Sequence, residues 1–135
     1  MDARRGDIVL VVAVGGALGS IARWGLAETL PHASDRLPWS TLIANVVGAF
    51  LLGALMVVVL EVGRPGRYLR PFLGIGVLGG FTTFSTYMLD TRTLLAAGEP
   101  LRAGGYLFGT LLAGLLAVWL GVVAARTATR LKESR

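Results

Sequence analysis

Between Pro71 and Ala97 the chain carries an apolar stretch long enough to cross a membrane, and in its middle stands Gly79-Gly80-Phe81-Thr82-Thr83-Phe84-Ser85-Thr86-Tyr87. A plain lipid-facing helix has no use for such a run. Paired glycines weaken a helix and β-branched threonines do little to restore it, so the run is expected to break the helix and free backbone groups from their i to i−4 partners. Inside a bilayer each freed group costs on the order of several kcal/mol unless something satisfies it. Irregular backbone at membrane depth is tolerated where it is buried in protein, lines water or holds an ion. The run is therefore read as a candidate ion site.

The rest of the chain fits that setting. Of 135 residues 54% are hydrophobic and 16% charged, with 19 glycines and a mean hydropathy of +0.69, a composition of integral membrane proteins. A spanning helix needs ~20 mostly apolar residues, and four stretches qualify: 8–27, 39–62, 71–97 and 103–125. Little chain remains outside them, so residues 1–135 read as one all-α membrane domain of four helices, the third broken. The first span follows basic residues as a signal peptide would, but Gly15, Gly16, Gly19 and Arg23 interrupt it and it is read as retained. The absence of cysteine excludes disulfides and thiolate chemistry. The net charge of +5 gathers at span ends, which suits lipid headgroups and topology control, not nucleic acid.

Small residues are spaced for close helix packing. Gly105, Gly109, Ala113, Ala117 and Gly121 recur every four residues in the last span, Gly15 and Gly19 do so in the first, and Ala49 and Gly53 in the second. Four short helices have difficulty enclosing a polar path alone, so these stripes favour an oligomer.

Few polar side chains lie at depth. Asn45 stands among apolar neighbours on the face of Thr41, Ala49 and Gly53. It serves either as an interhelical hydrogen bond or as an amide donor to a passing anion. Tyr106 and Thr110 lie one turn apart and begin a polar track that Gly114 and Val118 do not continue. Arg23 either snorkels to the interface or places positive charge at an anion vestibule. The lone histidine, His32, falls in the Glu28 to Pro38 connection and reads as solvated. Acidic residues flank the spans, as with Asp7, Glu28, Asp35, Glu61, Asp90 and Glu99. A proton-coupled cation exporter would hold a carboxylate at mid-membrane, and a carbonyl cation filter would show a TVGYG-like run. Donors, aromatics and an arginine without buried carboxylates point to an anion.

Gly15-Gly16-Ala17-Leu18-Gly19 with Arg23, the mid-span Asn45 and the run from Gly79 to Tyr87 together resemble the Fluc (CrcB) family of fluoride-specific ion channels over essentially the whole chain. The resemblance implies an antiparallel dimer with two fluoride pores and a central structural sodium ion that is not transported. It implies that Phe84 and Tyr87 form an aromatic box beside the pore, that Asn45 is the pore asparagine, and that the carbonyls of Gly79 and Thr82 hold the sodium. Tyr106 and Thr110 match the start of the polar track, with Thr41, Ser85 and Thr86 as further pore candidates and Arg23 at the vestibule. Tyr87 stands where phenylalanine is usual, and Gly114 and Val118 where hydroxyl residues can occur. The implied activity is passive export of cytoplasmic fluoride across the plasma membrane, which lowers its toxicity.

A proton-coupled four-helix small-molecule exporter is the alternative, disfavoured by the missing membrane carboxylate. A noncatalytic membrane subunit is a third reading. No nucleophile with a base and no metal-ligand cluster suggests an enzyme. Charge complicates the dimer. Nine Lys and Arg lie on the side of both termini and the second connection (Arg4, Arg5, Arg64, Arg67, Arg70, Arg126, Arg130, Lys132, Arg135), against four on the other (Arg23, Arg36, Arg92, Arg102). The positive-inside tendency would turn most copies one way, so the partner is either a second copy inserted in reverse or an oppositely oriented homologous subunit.

Overall fold

The computed structural model describes residues 3–61 and 66–133, with side chains from 6 to 61 and 66 to 130. Val62, at the expected end of the second span, and Gly63, Arg64 and Pro65 of the second connection lie outside the described residues, as does Arg135. All described secondary structure is helical: α1 (Ala3–Thr29), α2 (Trp39–Leu60), a π-wound segment (Arg70–Leu78) running into the short α3 (Gly79–Phe81), α4 (Ser85–Ala96) and α5 (Pro100–Glu133). Among the described residues, four stretches are long and apolar enough to cross a membrane: Gly6–Thr29, Trp39–Leu60, Arg70–Ala96 and Pro100–Arg130. The 22 residues of α2 rise about 33 Å, close to the hydrocarbon thickness of a bilayer.

Prolines and one glycine set the boundaries. Helix α1 stops before Pro31, and Pro38 opens α2 by lending its carbonyl to Leu42 N–H at 3.1 Å. Pro71 enters the third span in its first turn, where its missing N–H costs nothing. Helix α4 closes on Gly98 at φ +77°, a left-handed backbone that favours glycine. There Gly98 N–H bonds the Leu95 carbonyl and Glu99 N–H the Leu94 carbonyl, so two orphan carbonyls of the helix end are satisfied. Pro100 then starts α5 at once.

Glycine governs the packing as well. Helix α1 lies against the π-wound segment and α3, and α2 against α5. A Cβ on Gly76 would stand 2.9 Å from the Val12 carbonyl, and one on Gly19 2.8 Å from Phe81 N. Across the other pair, a Cβ on Gly121 would meet Ala54 N at 3.0 Å and one on Gly53 the Val118 carbonyl carbon at 3.0 Å. These crossings are backbone on backbone. Only part of the α5 stripe is used this way, since Gly105 and Gly109 have open space where a Cβ would stand.

A small core of Tyr87, Leu94, Ala103 and Tyr106 sits between α4 and α5. Elsewhere large apolar side chains such as Leu10, Ile21, Trp24, Phe108, Leu112 and Trp119 face outward. Water would not tolerate that surface; lipid covers it.

Polar contacts mark the two ends of the bundle. At one end Arg67 and Tyr68 both bond Asp7, at 3.0 and 2.8 Å, and Arg126 holds Glu61 through two nitrogens. The Arg126 guanidinium keeps the Glu61 carboxyl below its ordinary range, while donation to Asp7 pushes the Tyr68 phenol up. At the other end Arg102 pairs with Glu99 at 3.3 Å and His32 stands 4.0 Å from Asp90.

Candidate functional site

The third span is helical to Phe81 and again from Ser85, with Thr82 extended (φ −81°, ψ 157°) between them. An uninterrupted helix would pass Thr83 N–H to the Gly79 carbonyl and Phe84 N–H to the Gly80 carbonyl. Here Thr83 N–H and the Gly80 carbonyl find other partners. Asn45 on α2 takes Thr83 N–H on its Oδ1 at 2.8 Å and donates its Nδ2 to the Thr83 carbonyl at 2.9 Å. Arg23 on α1 donates Nε to the Gly80 carbonyl at 3.2 Å. Thr82 returns its hydroxyl to the Leu78 carbonyl at 2.8 Å. The Thr83 hydroxyl accepts Thr86 N–H at 3.2 Å and donates to the Thr86 hydroxyl at 3.1 Å. Thr83, one residue before the N-cap Phe84, thus satisfies an N–H of the first turn of the restarting helix. Among the described residues no hydrogen bond reaches the carbonyls of Gly79, Phe81 or Thr82.

Beside the interruption runs an open groove of about 610 Å³, whose wall includes Asn45, Gly79, Thr82, Thr83, Phe84, Tyr87 and Thr110. Gly114 and Val118 continue it along α5 with no hydroxyl. Among the described residues lining it, none is charged. Phe84 is 74% exposed, and its ring meets that of Tyr87 edge-on with centroids 6.0 Å apart. Thr110 is 5% exposed, and its hydroxyl is buried without a partner. That is an expensive state for a polar group unless a ligand or water reaches it.

The groove collects only some of the residues that the sequence singles out. Asn45, Phe84, Tyr87 and Thr110 line it; Thr41, Ser85, Thr86, Tyr106 and Arg23 do not. Tyr106, 2% exposed, lies behind Tyr87 with ring centroids 5.4 Å apart. Its hydroxyl faces Asp90 at 3.4 Å, with the Thr41 hydroxyl beside it. The hydroxyl of Tyr87 donates to the Leu107 carbonyl on α5, away from Phe84. Thr83 and Gly48 escaped sequence reasoning as parts of the site. Gly48 lies one turn after Asn45, and the Thr82 methyl fills the space its Cβ would need. That spacing was the only signal available.

An amide, a hydroxyl and ring edges are neutral, partly positive donors, a set suited to replacing the hydration of a small anion without trapping it. Fold and groove define a multi-pass helical membrane protein with an uncharged, largely apolar groove beside the extended Thr82 of its third span. Residues 10–122 match the family described as CrcB-like protein, Camphor Resistance (CrcB). The chain is 51% identical over 122 residues to fluoride-specific ion channel FluC 2 of Nocardia farcinica, covering 90% of this chain and 87% of that one. It is 46% identical to FluC 1 of Streptomyces coelicolor over 94% of this chain and 82% of that one. Against FluC of Opitutus terrae it is 45% identical over 95% and 99%. This chain belongs to the CrcB family.

Proposed function

We propose that this protein is a fluoride channel, not an enzyme, that passively releases cytoplasmic fluoride across the plasma membrane as one half of an antiparallel dimer. The observation that carries the reading is the groove: it is open along one side, its donors are uncharged, and one of them, the Thr110 hydroxyl, is buried without a partner. A single chain leaves that path unwalled. The outward Phe84 ring and the unused glycines Gly105 and Gly109 supply apolar and close-packing surface for a second subunit. The interruption of the third span is, in this reading, a functional break that meets its counterpart at the dimer centre.

Each groove residue then has a task. Phe84 and Tyr87 present positive ring edges to the anion. Thr110 donates its free hydroxyl. Asn45 keeps one amide hydrogen for the anion while its other two polar contacts hold Thr83. Arg23, bound to Gly80, contributes positive potential from behind the break.

A structural sodium ion fits the break. Gly79 and Thr82 line the groove, their carbonyls receive no hydrogen bond among the described residues, and neutral carbonyl oxygens suit a hard monovalent cation. Those two carbonyls would hold it, and bound sodium would neutralise acceptors that are otherwise unsatisfied.

The decisive measurement is fluoride efflux from liposomes loaded with fluoride and containing the purified protein, in sodium buffer. Efflux well above that of protein-free vesicles, with chloride retained, is expected. Efflux at the protein-free rate refutes the channel, and efflux that requires a pH gradient points to the proton-coupled exporter.

A further inference from the structure

The two sides of the interruption are treated differently. Gly79 and Thr82 line the groove and their carbonyls accept no hydrogen bond among the described residues, whereas the Gly80 carbonyl accepts one from Arg23 on α1. Helix α1 comes close enough for this because Gly16 and Gly19 place bare backbone against Gly80, Val77 and Phe81. Arg23 follows Gly19 by four residues and so stands on the same helix face. Its half-buried side chain reaches the Gly80 carbonyl at 3.2 Å.

We infer that Arg23 is a positioning residue: by bonding Gly80 through Nε, it fixes the peptide next to Gly79 and thereby aims the open carbonyls of Gly79 and Thr82 as a cation cage. This rests on the sodium reading above. The sign of the effect separates positioning from simple electrostatics. A guanidinium beside a cation repels it, so as a bare charge Arg23 would weaken sodium binding and its removal would tighten it. As a clamp, its removal loosens the cage.

Two substitutions isolate the donor. Gln places its Nε2 the same number of bonds from the backbone as Arg places Nε, so Arg23→Gln keeps a donor for Gly80 and discards the charge. Arg23→Met puts a methyl group there and discards both. The readout is the sodium concentration giving half-maximal thermal stabilisation of the purified protein in detergent, with a bulky organic cation holding ionic strength constant. The expected result is a midpoint raised about tenfold in Arg23→Met and within about twofold of the unsubstituted protein in Arg23→Gln. If the unsubstituted protein gains no stability from sodium, the sodium reading itself fails. If sodium stabilises it but Arg23→Met keeps or lowers the midpoint, or both variants shift equally, the positioning role is overturned. Should Arg23→Met not fold, Arg23→Gln decides alone: a shifted midpoint in either direction refutes the clamp.

Discussion

Replacing Asn45 separates the hydrogen bonds that hold the break from the donor offered to the anion. The Asn45 carboxamide makes two contacts with Thr83, at 2.8 Å to the N–H and 2.9 Å to the carbonyl. Interhelical hydrogen bonds in a bilayer contribute ~0.6 kcal/mol on average and ~1.7 at most. Losing both in Asn45→Ala should therefore destabilise by about 1 to 3 kcal/mol, with the upper end reached if the Thr83 groups find no water. Asn45→Asp behaves differently. One carboxylate oxygen still accepts Thr83 N–H, but the other faces the Thr83 carbonyl where a donor stood, and the negative charge repels an entering anion. Flux should fall further in Asn45→Asp than in Asn45→Ala. Unfolding free energies measured in mixed micelles with increasing SDS, alongside fluoride efflux from liposomes, test both statements. If Asn45→Ala unfolds within about 0.5 kcal/mol of the unsubstituted protein and conducts at its rate, Asn45 neither holds the break nor serves the anion.

Phe84→Ile keeps bulk and apolarity but deletes a ring edge, so efflux should drop with little change in subunit stability; Tyr87→Phe should conduct near the unsubstituted rate, because the lost hydroxyl bonds Leu107. Thr110→Val removes a buried, unpartnered hydroxyl at nearly constant shape, so it should raise stability by about 1 to 3 kcal/mol while slowing fluoride, and unchanged efflux would assign Thr110 to packing. Glu61 titrates below its ordinary range because of Arg126. Its contribution to stability is therefore present above the unfolded carboxylate value of about 4.3 and lost as pH falls through the lower folded value; the acid decline of melting temperature should be shallower in Glu61→Gln. Finally, Ser134→Cys puts one thiol on a chain without cysteine, and impermeant labelling of intact cells reads its orientation: about half of the tails labelled supports a self-paired antiparallel dimer, and complete protection excludes dual topology.

The architecture was legible because a bilayer leaves few options. Four apolar stretches had to be helices, and a Gly-Gly run with four hydroxyls had to place its freed backbone groups somewhere. What could not be read was where each group would turn, since that depends on helix rotation and depth, and close backbone crossings set both. Gly15, Gly19 and Gly76 bring α1 to the third span and carry Arg23 to the Gly80 carbonyl, so a side chain that composition offers as either a snorkelling anchor or a vestibule charge becomes a backbone clamp. Gly53 and Gly121 fix α5 against α2, which leaves Thr110 on the groove and tucks Tyr106 behind Tyr87, although the two residues are one turn apart. Asn45 shows the same dependence. Periodicity placed its carboxamide over small residues, yet only the register of α2 against the interruption makes its spacing match both the N–H and the carbonyl of Thr83. A sequence announces that backbone groups will be freed. Which of them find partners follows from the helix approaches that the glycines of the neighbouring helices allow.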